Sequence, residues 1–175
     1  MIEHIVDIDK IIGNMLVKQS TLARDNILNV DSIRGVDLSK FITDKVKLSY
    51  DLSDLVILFE VKGVDNENVN VSETMSNDLI LESSSFEIQL TIYGNQSLHL
   101  AKILKARIES EKVRNDLLTE GLYLINIESI QSFNEFMNET VWPRADIILN
   151  VACEMQINQV DTMNEVDDVN VKVER

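Results

Sequence analysis

Apolar and polar residues alternate most regularly between Ser85 and Ile157, and this stretch predicts the centre of the fold. In residues 86–93 every second side chain is apolar, which is the pattern of a half-buried strand. A second alternating run, from Ala145 to Ile157, predicts a strand well above the usual length. Between the two runs, residues 96–120 favour one long helix, and its end is expected at Gly121 because glycine adopts a left-handed turn without strain.

The chain before this stretch gives weaker patterns. Residues 2–18 carry apolar side chains at the three- and four-residue spacing of one helix face, which predicts an N-terminal helix. Residues 20–44 read as a loop with at most one short strand. Val46, Leu48 and Tyr50 alternate with polar residues and predict a strand. The branched apolar run from Leu55 to Val61 predicts a strand that is covered on both faces.

Three further segments complete the sequence-based prediction. Residues 63–77 are acidic and lack a hydrophobic period, so we expect a long surface loop there. Leu122 to Ile127 forms a short apolar run that is typical of a strand, and 129–141 predicts a connection with one helical turn. The helical turn is expected because Phe133, Phe136 and Met137 have helical spacing.

These elements together predict an α+β fold. We expect one domain over residues 1–158 and an acidic tail or arm over residues 159–175. The domain should hold an antiparallel or mixed sheet of about four to six strands, packed against the long helix (about 96–120) and the N-terminal helix. The strands are expected at about 55–62, 79–93, 122–131 and 144–157.

The charge of the chain argues against a role in gripping nucleic acid. Acidic residues number 30 and basic residues 16, which gives a net charge of −14. Binding to DNA or to anionic lipid depends on basic side chains that neutralise phosphate, so we expect neither. The sequence has no apolar run long enough to span a membrane and no signal peptide pattern, which favours synthesis in the cytoplasm.

The residues give no indication of catalysis, a cofactor or a metal. The five glycines form no phosphate-binding loop, and the two histidines lie far apart without a partner serine or cysteine pattern. The one cysteine, Cys153, lies on the apolar side of the last strand and is expected to be buried. We therefore expect no enzyme, no cofactor and no metal site.

Two groups of residues are candidates for a subunit or partner interface. The predicted long helix has a second apolar stripe, and one stripe is enough to pack a helix on a sheet, so Ile103, Val113 and Leu117 could contact another helix or another subunit. Trp142, the only tryptophan, and Arg144 belong to residue types that are enriched at interfaces. The alternative is that Trp142 covers the local core and that Arg144 pairs with Asp146 at the surface.

The stretch that organises the fold also carries a family resemblance. It contains, in order, Ile92-Tyr93-Gly94, a helix with Ala101 and Leu104, Gly121-Leu122, and Trp142 followed by Arg144-Ala145-Asp146. This succession, over about residues 79–157, resembles the neck or tail terminator proteins of tailed bacteriophages. The resemblance implies an α+β subunit of a homo-oligomeric ring, commonly hexameric, that lies in the virion between the head connector and the tail tube. It also implies a structural adaptor that ends tail assembly and joins tail to head, with DNA passing through.

Other functions remain open at this point. The chain could be a different tail-completion component or a minor tail component. It could also be a cytoplasmic binding module, or an enzyme whose site the sequence does not reveal. The ring needs two complementary surfaces on each subunit, and the second apolar stripe of the helix is a candidate for one of them.

Overall fold

The computed structural model describes residues 7–33, 35, 37–64 and 79–158. These residues form an α+β fold, as the sequence predicts. The helices are α1 (Ile8–Ser20), α2 (Leu38–Lys45), α3 (Ser97–Ile108) and α4 (Glu111–Thr119). The strands are β1 (Ile27–Asn29), β2 (Val56–Val64), β3 (Leu79–Tyr93), β4 (Leu122–Ile127), β5 (Gln131–Met137) and β6 (Thr140–Asn158).

All six strands belong to one mixed sheet whose centre is the pair β3 and β6. These two strands pair antiparallel along the whole of β3, from Tyr93 opposite Arg144 to Leu79 opposite Asn158. On the other side of β3, β2 pairs antiparallel and β1 pairs in parallel with β2. On the side of β6 that faces away from β3, β5 pairs with residues 140–146 of β6 and β4 pairs with residues 149–153. Strands β4 and β5 therefore form one edge of the sheet together.

One face of the sheet, which we call the helix face, carries the main core. Because alternate residues of a strand point to the same side, the apolar half of β3 and the apolar half of β6 meet here under α1, α3 and α4. Ile88 and Leu90 are fully buried, and so are Leu149 and Val151, which confirms the predicted alternation. Cys153 is also buried as expected, and burial raises the pKa of its thiol.

The opposite face, which we call the second face, is covered at one end only by the residues that the structure describes. There α2 contributes Ile42, and Val46 follows it; both pack in a small cluster with Val56, Leu58, Tyr93 and Trp142. The sequence prediction was wrong in this region: residues 46–50 form no strand, and Leu48 and Tyr50 are exposed. The helix α2 was missed, although its N-cap Asp37 accepts hydrogen bonds from the backbone of Ser39 and Lys40.

The predicted helix 96–120 is two helices. It breaks at Glu109 and Ser110, where Ser110 takes an extended backbone and its hydroxyl caps the start of α4. The break rotates α4 so that Val113 and Leu117 join the same core as Leu100 and Leu104. The second apolar stripe is thus explained by the change of direction at Ser110. The end at Gly121 is confirmed, with a positive φ of 85°.

The connection between β4 and β6 also differs from the prediction. Residues 131–137 form a strand instead of a helical turn, and a two-residue turn at Asn138 and Glu139 joins it to β6. Both turn residues have positive φ, 48° and 62°, which is the backbone of the tightest β-hairpins. The register places Phe133 opposite Arg144 and Phe136 opposite Val141.

Other predicted segments agree in part. Helix α1 begins at Ile8 in the described chain, and residues 2–6 of the predicted helix lie outside it. Residues 63 and 64 still belong to β2, whereas the rest of the predicted 63–77 loop lies outside the described residues. The same is true of the acidic segment 159–175. Residues 20–44, predicted to be a loop with at most one short strand, contain the strand β1 and most of the helix α2.

Candidate subunit interface

A polar network ties the β5–β6 hairpin to β3 on the second face of the sheet. The register places Tyr93 of β3 and Phe133 of β5 on either side of Arg144 in β6. Arg144 donates to both carboxylate oxygens of Asp146, with Nε–Oδ1 and Nη2–Oδ2 distances of 2.8 Å. It also donates through Nη1 to Glu135 Oε2 at 2.9 Å. The same Glu135 oxygen accepts a hydrogen bond from the Tyr93 hydroxyl at 2.7 Å.

Two aromatic rings enclose the guanidinium of Arg144. Its central carbon lies 4.9 Å from the centroid of the Phe133 ring and 5.6 Å from that of the Tyr93 ring. Both distances are within the range in which a ring face attracts a cation. The N–H groups of the guanidinium thus bind two carboxylates, and its flat faces contact two aromatic rings. Lysine could not make this set of contacts.

The network is largely shielded from solvent, which strengthens its hydrogen bonds. Only 19% of the Arg144 side chain and 13% of the Asp146 side chain are exposed. Burial opposes the charge of Arg144, but the hydrogen bonds to Asp146 and Glu135 outweigh it and raise the arginine pKa. Burial likewise opposes the charge of Glu135, but the hydrogen bonds from Arg144 and Tyr93 prevail and lower its pKa. Burial, together with the hydrogen bond to Glu135, raises the pKa of Tyr93.

Trp142 lies beside this network and closes the small cluster under α2. Its side chain is 5% exposed, and its Nε1 donates to the carbonyl oxygen of Met137 across the hairpin at 3.3 Å. The tryptophan thus holds the two arms of the hairpin together and anchors them to α2. Asn138 at the turn reaches the same helix, with its Nδ2 3.3 Å from the Ser39 hydroxyl.

The hairpin presents exposed apolar side chains beyond this anchored base. Phe136 is 72% exposed and Val141, directly opposite, is 52% exposed. They lie on the helix face, near the hairpin turn. Phe133 on the second face is 43% exposed even though it stacks on Arg144. Exposed apolar side chains that lie next to each other on an anchored hairpin are typical of a surface that contacts another protein.

The structure divides the residues that the sequence suggested for an interface. Trp142 and Arg144 lie together at the base of the hairpin. Val113 and Leu117 are buried in the main core of their own chain, and Ile103 of α3 is partly exposed. The predicted ion pair between Arg144 and Asp146 is present. A place for these residues at a subunit contact stays a prediction.

Sequence reasoning missed the other members of the site: Tyr93, Phe133, Glu135, Phe136 and Val141. The available signal was Asn138, because asparagine tolerates the positive φ of a hairpin turn. The residues before it do not alternate between apolar and polar, and the spacing of the two phenylalanines and the methionine indicated a helical turn instead.

The basic side chains of α3 and α4 serve mainly within the chain. Lys105 donates to the carbonyl oxygen of Glu128 at 2.8 Å, Arg107 donates to that of Gln19, and Arg114 lies 3.4 Å from that of Leu124. These contacts fasten the helices to β4 and α1. In the described part of the chain, no three potential metal ligands cluster, and no helix is long and apolar enough to cross a membrane.

The family comparison covers the strands β3, β5 and β6 that carry the site just described. The sequence model of the phage neck terminator protein family matches residues 46–175, which include β2 to β6 and both α3 and α4. The chain belongs to the phage neck terminator family. A comparison with curated proteins gave no match. Neck terminators are structural proteins of the bacteriophage virion, so the chain belongs among the head and tail proteins and not in an enzyme family.

Proposed function

We propose that this chain assembles as a hexameric ring of identical subunits between the head connector and the tail tube. There it ends tail assembly and joins the tail to the head. The support is membership of the neck terminator family together with the anchored hairpin, which offers an apolar contact surface that a monomer would have no reason to maintain. The protein is then synthesised in the cytoplasm of the bacterial host and located in the neck of the virion.

A closed ring needs two different surfaces on each subunit, one that meets the next copy and one that meets the previous copy. The hairpin supplies one surface through Phe136 and Val141, which lie together on the helix face. Trp142 and Arg144 act beneath it by fixing its direction. Ile103 of α3 is a candidate for a second surface, since it stays partly exposed, whereas the apolar residues Leu100 and Leu104 of the same helix are buried.

The charge of the protein suits a channel through which DNA passes without being held. The chain carries a net charge of −14, and three of the basic side chains on α3 and α4 bind carbonyl oxygens of their own chain. Acidic residues outnumber basic residues by 30 to 16, which opposes attraction to phosphates, and affinity for DNA grows with the number of phosphates that are neutralised. Acidic side chains along the channel or the rim would repel the DNA backbone.

Particles assembled without this protein test the proposed role. We expect filled heads and separate tails in electron micrographs, and joined particles again when the chain is supplied. A chain with Phe136→Ser should fold but join far fewer particles, whereas Tyr50→Ser, at an equally exposed aromatic residue outside the hairpin, should behave as the native chain. Normal joining without the protein would overturn the proposal.

DNA retention tests the electrostatic part separately. At about 150 mM salt, where a protein with few phosphate contacts loses its affinity, we expect no binding in a filter assay. Changing Lys102 and Lys112 to Glu should then alter nothing. Micromolar binding that these two changes abolish would show instead that the helices contact DNA.

A further inference from the structure

A cleft of about 480 Å³ lies between the helices α1 and α4. Its apolar floor is formed by Met15, Val113 and Leu117, which are buried in the main core. Ile11 and Val17 also line the cleft and remain partly exposed. A concave and mostly apolar surface of this size can take up large apolar side chains and remove them from water. We call it the α1–α4 cleft.

The two sides of the α1–α4 cleft carry charges of opposite sign. Lys10 and Lys18 lie on the α1 side, and Asp116 and Glu120 lie on the α4 side. Within the described residues no ion pair joins the two sides. Asp7 lies three residues before Lys10, whereas the four residues on either side of Lys18 are uncharged. The positive charge is therefore least compensated at Lys18, and this end of the cleft favours an acidic group on a partner.

The β5–β6 hairpin carries a surface of complementary character. Phe136 and Val141 lie opposite each other in the register and are 72% and 52% exposed. Glu139 lies beside them at the turn and is exposed. An aromatic side chain that enters a pocket is often the energetic centre of a protein interface, and charged groups around it set the orientation. An apolar pair beside a carboxylate thus matches an apolar cleft beside a lysine.

The hairpin and the cleft of one chain lie too far apart to meet. Along β6, the twelve residues from Val141 to Cys153 span about 40 Å. Leu122 pairs with Cys153, and Glu120 on the α4 side of the cleft lies two residues before Leu122. The turn at the end of the hairpin extends still further in the opposite direction. Two different surfaces at opposite ends of one strand make a contact that repeats from copy to copy, which is the contact that a ring requires.

We propose that Phe136 and Val141 of one copy insert into the α1–α4 cleft of the next copy, with Glu139 beside Lys18. The inference rests on the proposed ring and names the contact that closes it. Burial of the phenylalanine ring against the apolar floor supplies the affinity. The pair of opposite charges at the edge fixes which way the hairpin enters.

Cysteine cross-linking in assembled particles tests the contact directly. Particles are assembled with a mixture of two chains, one with Glu139→Cys and one with Lys18→Cys, while the buried Cys153 of the native chain serves as the control. A short bismaleimide should give covalent dimers from the mixture and none from either chain alone. A chain with both substitutions should give a ladder of higher oligomers. Dimers from Glu139→Cys alone, an internally closed monomer, or no cross-link beyond that of the native chain would each overturn the inference.

Blocking the cleft tests whether the contact is needed. Asp116→Trp places a large side chain in the cleft, whereas Asn115→Trp places the same side chain at an exposed position of α4 outside it. We expect the first to reduce the yield of joined particles at least about tenfold and the second to leave it unchanged. Urea denaturation of both purified variants should match that of the native chain, since both positions are exposed.

The two experiments together separate the possible failures. Joining by Asp116→Trp at the native level would contradict the inference and leave the ring proposal standing. Loss of joining without the cross-link between Glu139→Cys and Lys18→Cys would show that the cleft receives another virion protein, and the inference would again be wrong. Failure of the native chain to restore joined particles would overturn the proposed function itself.

Discussion

The two faces of the sheet are held together in different ways, and β6 shows both. Its residues Ala145, Ile147 and Leu149 point to the helix face, where burial of apolar surface among three helices supplies the stability. Trp142, Arg144 and Asp146 alternate with that series and point to the second face, where hydrogen bonds and ring contacts predominate.

The two faces therefore have different roles: the helix face stabilises the sheet, and the second face orients the β5–β6 hairpin. Hydrophobic burial is non-directional, so the helix face holds β6 in the sheet without fixing how the hairpin is aimed. Hydrogen bonds between charged groups require defined distances and angles, so the second face sets the position of the hairpin. Substitutions on the two faces should therefore fail in different ways.

The largest loss is expected for Leu149→Asp on the helix face. An unpaired carboxylate in this apolar interior should cost at least about 4 kcal/mol of unfolding free energy. Ala152→Asp is the matched control, because it adds the same charge to the same strand on the half-exposed second face. Urea denaturation should show a loss of about 1 kcal/mol or less for the control. Equal losses for both variants would contradict the contrast between the faces.

Trp142→Ala should produce the next largest effect. Removing this buried ring leaves a cavity under α2 and should cost about 3 kcal/mol. Trp142→Phe keeps most of the volume and loses the hydrogen bond from Nε1 to Met137, so about 1 kcal/mol is expected. If the two variants unfold at the same urea concentration, packing of the indole contributes little.

Arg144→Met should cost about 2 kcal/mol at neutral pH, because Asp146 and Glu135 lose their cation. The loss should depend on pH. The folded chain holds the pKa of Glu135 below its ordinary value, so this contribution is present above the unfolded pKa of about 4.3 and disappears as the pH falls through the folded value. The native chain and the variant should thus approach each other in stability as the pH falls below the unfolded value of about 4.3 and through the lower folded value. A constant difference would show that arginine acts by packing alone.

The smallest effect is expected for Tyr93→Phe, which removes one hydrogen bond to Glu135 and should cost about 1 kcal/mol. The folded chain raises the pKa of Tyr93, so its stabilising contribution is complete below about pH 10 and declines at higher pH, where the unfolded chain releases the phenol proton. The deficit of the variant should therefore shrink above pH 10. A spectroscopic titration should show one fewer tyrosine that resists ionisation.

The elements that the sequence predicted are those in which burial repeats many times. Ile88, Leu90, Leu149 and Val151 belong to long alternating runs, and each run reports one face of one strand. The missed helix α2 is short, and Ile42 is its one buried residue, so no period could emerge from it. The sequence pattern did not predict the break at Ser110, because Val113 and Leu117 keep helical spacing within α4.

The site could be predicted only by residue type. Trp142 and Arg144 stand out as an aromatic residue and an arginine beside a strand. Their partners Tyr93 and Glu135 lie on two other strands, and a contact between strands depends on register. That register follows from the two-residue turn at Asn138, which the neighbouring phenylalanines concealed.

The position of β6 in the chain also has a consequence for the order of folding. Its partner β5 is two residues away, so this hairpin can form within about 10 μs. Its other partner, β3, lies between β2 and α3 in the chain. Leu79 of β3 can pair with Asn158 of β6 only after the chain has closed a long loop. Long-range pairing of this kind slows folding. During synthesis β3 can pair with β2 as soon as both strands are made, but its other edge has no strand partner until β6 has left the ribosome.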